Sequence, residues 1–153
     1  MTKHLLPYLL TAFMSVVWQN AYSIEVKNAD GMTIYYYIGD STAIVTNSYT
    51  IYATSFRGDP YSGDVVIPES VEYDGKVYKV TYIGSEAFYR CYGMTSISIP
   101  SSITGISWDE TFYGCYNLAS VIISDLSSWC NVKFGRAEAN PLTYARHLYL
   151  NNK

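Results

Sequence analysis

Among the side chains of this 153-residue chain that can do chemistry, Cys130 and His147 form the one plausible pair of nucleophile and base. Nothing in the sequence supplies a third group to orient them, and His147 adjoins a predicted strand, where a surface role is expected. A zinc site needs about four nitrogen or sulfur ligands, and the chain has neither a CxxC nor a histidine pair. It also lacks a glycine-rich phosphate loop and a Gly-x-Ser-x-Gly sequence. We therefore predict no enzyme activity, no metal and no cofactor.

The charged residues argue against other classes of partner. The formal net charge is −3, so the sequence has no electrostatic footprint for nucleic acid or anionic lipid. Five acids are grouped loosely, without the spacing of a calcium loop, and we expect them on a solvated loop face. They are Asp59, Asp64, Glu69, Glu72 and Asp74.

Tyrosine is the abundant residue that remains, with 17 copies. Tyr89 and Tyr92 recur, at one constant offset, as Tyr113 and Tyr116. We expect these four rings to face outward in two ladders, and tyrosine is enriched at binding hot spots. The alternative is that each ring only covers the edge of its repeat and packs on its neighbour.

The tyrosines belong to a longer repeat, which predicts the fold. Apolar, small and aromatic residues return in the same order, and one extra residue near Trp108 absorbs the only slip. Phe88, Cys91, Met94, Ile97 and Ile99 correspond to Phe112, Cys115, Leu118, Val121 and Ile123. A period in the twenties is typical of a solenoid, in which each repeat buries its apolar face against its neighbours.

Each repeat has a local structural interpretation. Ile97 and Ile99 alternate with serines, as in a strand with one buried face, and Pro100 ends that strand. The spacing of Phe88, Cys91 and Met94 is i, i+3, i+6, which places them along one side of a helical or 3₁₀ turn. All five are predicted to fill one coil and to stack on their counterparts in the next.

Partial repeats flank the two regular ones. Val65 to Pro68 matches Ile97 to Pro100, and Asp74-Gly75 predicts a hairpin turn after it. Leu148 to Leu150 predicts a last strand, in which Leu148 takes the place of Val121. The predicted coils are 64–82, 83–105, 106–124 and 125–153.

The cysteines are an odd set of three. Cys91 and Cys115 hold the same position in adjacent coils, and we expect them to be reduced thiols in the core, since cysteine packs as a small hydrophobe. A Cys91–Cys115 disulfide is the alternative, because stacked coils bring such positions within reach.

Residues 24–63 do not show the repeat. Strand patterns at 24–26, 32–38, 43–45 and 49–54, separated by turn signals, predict a small antiparallel β cap over the first coil, with Arg57 to Gly63 as the connecting loop. An independent ligand-binding module is the alternative.

The segment from Met1 to Ser23 predicts a secretory signal peptide. Lys3 and His4 precede an apolar stretch from Leu5 to Trp18, and Ala21-Tyr-Ser23 offers small residues before a cleavage point. An uncleaved anchor or a buried helix is the alternative. No later stretch is apolar enough to span a membrane.

The repeat segments also carry a resemblance. The run from Asp64 to Val71, the Tyr-Asp-Gly-Lys-Val-Tyr that ends at Tyr78, and the Ile-Gly-Ser-Glu-Ala-Phe that ends at Phe88 resemble BspA-like leucine-rich repeat proteins. These are secreted and surface proteins of anaerobic oral and gut bacteria. The resemblance covers roughly residues 64–150. It implies a curved leucine-rich repeat solenoid, used for adhesion to host proteins or to other cells, without catalytic residues.

Two functions follow as expectations. The first is a secreted or cell-surface, non-catalytic adhesion module that recognises a host extracellular protein, a glycan or another cell surface. The second is a truncated or structural remnant of a longer repeat adhesin, with no ligand of its own. In both cases we expect a mostly β, α/β-type repeat fold whose last strand frays or associates weakly end to end.

Overall fold

The computed structural model describes residues 23–47, 61–108 and 110–151. Within these ranges the chain is mostly β, as predicted, with eleven strands, one α-helix and two 3₁₀ helices. The strands are β1 (Ile24–Lys27), β2 (Thr33–Ile38), β3 (Thr42–Thr46), β4 (Gly63–Val66), β5 (Ser70–Tyr73), β6 (Lys76–Ile83), β7 (Met94–Ile99), β8 (Gly105–Ile106), β9 (Ser120–Ile123), β10 (Lys133–Phe134) and β11 (His147–Leu150). The helix α1 is Leu126–Cys130, and the 3₁₀ helices are Ala137–Ala139 and Pro141–Thr143.

Four strands form a parallel sheet in the order β4–β7–β9–β11. Val65 pairs with Ile97, Ile97 with Val121, and Val121 with Leu148. These are the partners that the repeat predicts, so the register read from the sequence is confirmed at all three steps of the sheet.

The other sheet follows the order β1–β2–β3–β6–β8–β10, and β5 pairs with β6 outside this path. Ile83 pairs in parallel with Ile106, and Ile106 with Phe134. From residue 83 onward, each repeat therefore supplies one strand to each sheet.

The ten side chains predicted to fill the regular repeats are all buried. The rings of Phe88 and Phe112 stack with centroids 5.3 Å apart and planes 11° apart. Burying a side chain of this size contributes about 1.5–3 kcal/mol, so neighbouring repeats stabilise one another.

The hairpin predicted at Asp74-Gly75 is confirmed. Both residues have positive φ, 50° and 69°, as a two-residue type I′ turn requires. β5 and β6 pair antiparallel around it. Tyr78 is buried on one face of β6, whereas Val77 on the other face is 69% exposed.

The N-terminal strands β1, β2 and β3 pair antiparallel and lie close to the predicted bounds. β3 then pairs in parallel with β6, so these strands and the repeats share one sheet. The predicted strand at 49–54 and residues 1–22 of the predicted signal peptide lie outside the described residues.

Tyr61 lies in the predicted connecting loop 57–63, of which residues 57–60 are outside the described residues, and Gly63 already belongs to β4. The Tyr61 side chain is fully buried, and its ring lies 5.1 Å from that of Phe88. Its hydroxyl donates to the Thr46 carbonyl oxygen at 2.8 Å and accepts from the Tyr35 N–H at 3.1 Å. The aromatic stack of the repeats thus continues into the N-terminal strands.

Candidate binding surface

The predicted tyrosines lie on successive turns that join the two sheets. In each turn region several N–H groups donate to the carbonyl oxygen three residues earlier, as Cys91 does to Phe88 and Cys115 to Phe112. This three-residue spacing turns phenylalanine and cysteine inward and leaves the tyrosines at the surface. The Phe88 N–H also donates to the Thr111 carbonyl oxygen at 2.9 Å, which fixes one turn region against the next.

Arg90 and Gly114 occupy the same repeat position, and both have left-handed backbone, with φ of 55° and 87°. Glycine adopts this conformation freely, whereas for other residues it costs about 1–2 kcal/mol. The first regular coil nevertheless has an arginine there. Its guanidinium carbon lies 5.0 Å from the centroid of the Tyr89 ring, within cation–π range.

The four tyrosines form two stacked pairs, as predicted. The rings of Tyr89 and Tyr113 are 5.7 Å apart with planes at 19°, and those of Tyr92 and Tyr116 are 6.2 Å apart at 29°. Tyr92 and Tyr113 are each 45% exposed and Tyr116 is 67% exposed, while Tyr89 is half-buried. The rings face outward; that they bind a partner stays a prediction.

Tyr144 extends this surface and was missed by sequence reasoning, because it lies outside the aligned repeat. Its ring is 6.5 Å from that of Tyr116. It follows the second 3₁₀ helix, where the side chain of Asn140 accepts from the Leu142 N–H at 3.0 Å. Burial is the main cause that raises the pKa of Tyr144, and the neighbouring Tyr113 is the main cause that raises the pKa of Tyr116. Both phenols therefore stay neutral at physiological pH and can donate hydrogen bonds.

A cleft opens beside Tyr113 and was also missed. Its lining is Trp108, Glu110, Tyr113, Arg136, Glu138 and Tyr144. The available signal was the one-residue insertion near Trp108, which places a large aromatic side chain, 56% exposed, in a turn that lacks one in the preceding coil.

Residues 50–137 match the family model of the BspA type leucine-rich repeat region, which is written for six copies. The match spans more than half of the chain. The chain belongs to the BspA-type leucine-rich repeat family.

A solved structure agrees with this fold. The BspA-type chain is 23% identical to a leucine-rich repeat protein from Bacteroides capillosus, with 84% of this chain and 98% of that one covered and a TM-score of 0.51. This chain is also 20% identical to a leucine-rich cell surface protein from Faecalibacterium prausnitzii, with 82% of this chain covered and a TM-score of 0.48. The chain covers only 32% of that second protein. No curated protein matches the chain significantly.

The cysteines of this BspA-type chain occupy two environments. Cys91 and Cys115 are buried thiols in the core, as expected, and the Cys115 thiol donates to the Phe88 carbonyl oxygen at 3.0 Å. Cys130 is exposed on α1. His147 is exposed too, and its ring lies 5.9 Å from that of Tyr149.

Within residues 23–47, 61–108 and 110–151, no cluster of three or more histidine, cysteine or acidic side chains is arranged to hold a metal ion. In the same ranges no helix has the length and apolar character needed to cross a membrane.

Proposed function

We propose that this BspA-type chain is an exported, non-catalytic binding module that holds a protein or glycan partner, on a host surface or another cell, through the tyrosine surface formed by Tyr89, Tyr92, Tyr113 and Tyr116. The proposal rests on two pairs of stacked rings, three of them exposed and one half-buried, on turns that are hydrogen-bonded to each other. Tyrosine offers a large amphipathic contact at low entropic cost, and stacking on a fixed backbone lowers that cost further.

The proposed organisation serves this surface. Residues 1–23 are a signal peptide, residues 24–63 form the N-terminal β cap, and residues 64–153 form the solenoid. The pairing of β3 with β6 supports the cap role, because it covers the edge strand of the first coil. At the other end, Leu148 and Leu150 on β11 are 40% and 42% exposed. Weak end-to-end association there is part of the proposal, and light scattering of Leu148→Lys tests it.

An array of extracellular matrix proteins and glycans, probed with the exported chain, tests the main proposal. We expect a ligand whose binding falls at least about tenfold in the double variant Tyr92→Ala, Tyr116→Ala, as for paired hot-spot residues. Tyr73→Ala is the matched control, because Tyr73 is 44% exposed but lies on the hairpin strand β5. Equal loss in the control, or binding that survives in the double variant, would place the ligand elsewhere.

A further inference from the structure

The cleft beside Tyr113 has a volume of about 410 Å³ and combines three aromatic rings with three charged side chains. The charged side chains are two glutamates and one arginine, Glu110, Glu138 and Arg136, so together they carry one net negative charge. A concave site with a few convergent polar groups is the usual form of a ligand site.

Contacts within the chain preorganise one wall of the cleft. Gly135 follows β10, and its N–H donates to the Ile106 carbonyl oxygen at 3.0 Å. A Cβ at Gly135 would come within 2.5 Å of the Trp108 backbone nitrogen, so only glycine permits this approach. The approach brings Arg136 over Trp108, with its guanidinium carbon 4.9 Å from the ring centroid.

The chain places arginine over an aromatic ring twice, in Arg90 over Tyr89 and Arg136 over Trp108. Tyr113 holds the repeat position of Tyr89, but the next residue is Gly114, which has no side chain to return over the ring. In the described part of the chain, no guanidinium lies over Tyr113. The ring of Tyr89 stacks on one face of Tyr113, and Tyr89 is not among the residues that line the cleft.

The two glutamates of the cleft favour a cation in that place. Both are exposed, and their carboxylates make no hydrogen bond or ion pair with any residue that the structure describes. Glu110 lies close enough to Tyr144 for its charge to add to the effects that raise the pKa of that phenol, after burial and nearer neighbours. A cation over Tyr113 would gain from the ring face and from both carboxylates.

We propose that this cleft binds the guanidinium of an arginine presented by a partner protein, over Tyr113 and between Glu110 and Glu138. Arginine is preferred to lysine because its planar, weakly hydrated group stacks on rings and pairs with carboxylates at its edges. This rests on the proposed function only in that a protein partner is taken as the natural source of the arginine.

The test is an NMR titration of the full exported chain with a capped Gly-Arg-Gly peptide. The same peptide with citrulline, the neutral isostere of arginine, is the control. We expect millimolar binding that weakens with salt, and at least about fivefold weaker binding of the citrulline peptide. Shifts should centre on the Trp108 indole and on the Tyr113 and Tyr144 rings. Equal binding of the two peptides would overturn the proposal.

Variants then locate the site. Glu110→Gln combined with Glu138→Gln should weaken the arginine peptide about fivefold to tenfold, because both carboxylates lose their charge. Glu72→Gln, an exposed acid on the hairpin, should leave binding unchanged, and thermal melting checks that each variant folds. Arginine binding that is insensitive to the double glutamate variant would also overturn the proposal. If the array finds no ligand but the peptide still binds through the glutamates, the proposed function fails and the arginine cleft stands.

Discussion

Residues 83–123 and 125–150 share one backbone ladder but differ in what covers their inward side chains. Val121 is fully buried, with Ile97 paired on one side and Leu148 on the other. Leu148 holds the same position in the last strand of that ladder and is 40% exposed. The pairing stays in register across both regions, so backbone pairing alone does not bury the inward side chain of a strand.

The last coil also fills its interior with different residues. Trp129, Val132, Ala139 and Ala145 are buried there, and the ring of Trp129 meets that of Phe134 edge-on at 5.4 Å. These residues come from α1 and the irregular segment after it, rather than from a copy of the Phe-Cys turn. The same ladder therefore accepts two kinds of core.

The largest expected difference between the two regions is in the cost of truncating a core residue. Phe112→Ala should lower the free energy of unfolding by about 3–5 kcal/mol, since the ring is fully buried and stacked on Phe88. Leu148→Ala should cost below about 1 kcal/mol, because its side chain is only partly buried. Urea unfolding measures both, and similar values would mean that exposure in the last strand does not mark weak packing.

The junction on the other side of the regular coils gives the second contrast. Tyr61→Phe removes a hydroxyl with two hydrogen bonds and leaves the Thr46 carbonyl and the Tyr35 N–H without it, at an expected cost of about 1–3 kcal/mol. Tyr36→Phe is the matched control. Its hydroxyl is buried, and the described residues offer it no hydrogen-bond partner, so removing it should cost little or stabilise the protein. Thermal melting of both variants decides whether this buried bond joins the N-terminal strands to the coils; equal melting temperatures would reject it.

The repeat itself was predictable because it can be read as a period. Ile97, Val121 and Leu148 pair where the offsets placed them, and the inward positions of the two regular coils are buried as expected. One physical rule, that equivalent residues stack, supplies both register and core. It requires no knowledge of contacts between unrelated segments.

Contacts between segments that do not repeat could not be predicted in this way, because no sequence period relates those segments. Tyr61 stands in a stretch without periodicity, and its partners Tyr35 and Thr46 come from strands that do not repeat. The cleft beside Tyr113 combines Trp108, next to a one-residue insertion, with Arg136 from the last coil. Its form depends on the close approach of Gly135, which only the three-dimensional path of the chain reveals.

Hydrogen exchange provides the third contrast, within the parallel sheet. Amides of β7 and β9 should exchange only through large opening, because strands cover them on both sides. Amides of residues 147–150 should exchange at least about tenfold faster, since β11 is an edge strand of this sheet and all four of its side chains are exposed. Equally slow exchange in β11 would show that the last coil is held as firmly as the regular ones.

The smallest effect is expected where the hairpin-bearing first coil meets the first regular coil. The hydroxyls of Thr95 and Ser96 donate to one carboxylate oxygen of Asp64 at 2.8 and 2.7 Å, and these bonds hold the pKa of Asp64 below its usual value. Because the folded-state pKa is depressed, the stabilisation is present above the unfolded-state pKa of about 3.9 and is lost as pH falls through the folded-state value. Asp64→Asn should therefore reduce stability slightly at pH 7 and make no difference in strong acid.

Asp40→Asn is the control, since Asp40 is exposed and its side chain has no hydrogen bond with the described residues. Urea midpoints are measured from pH 7 down to pH 2. The difference between Asp64→Asn and wild type should shrink as the pH falls, whereas Asp40→Asn should show no such pH-dependent difference. Parallel curves would show that this contact joins the coils through shape and neutral hydrogen bonds rather than through charge.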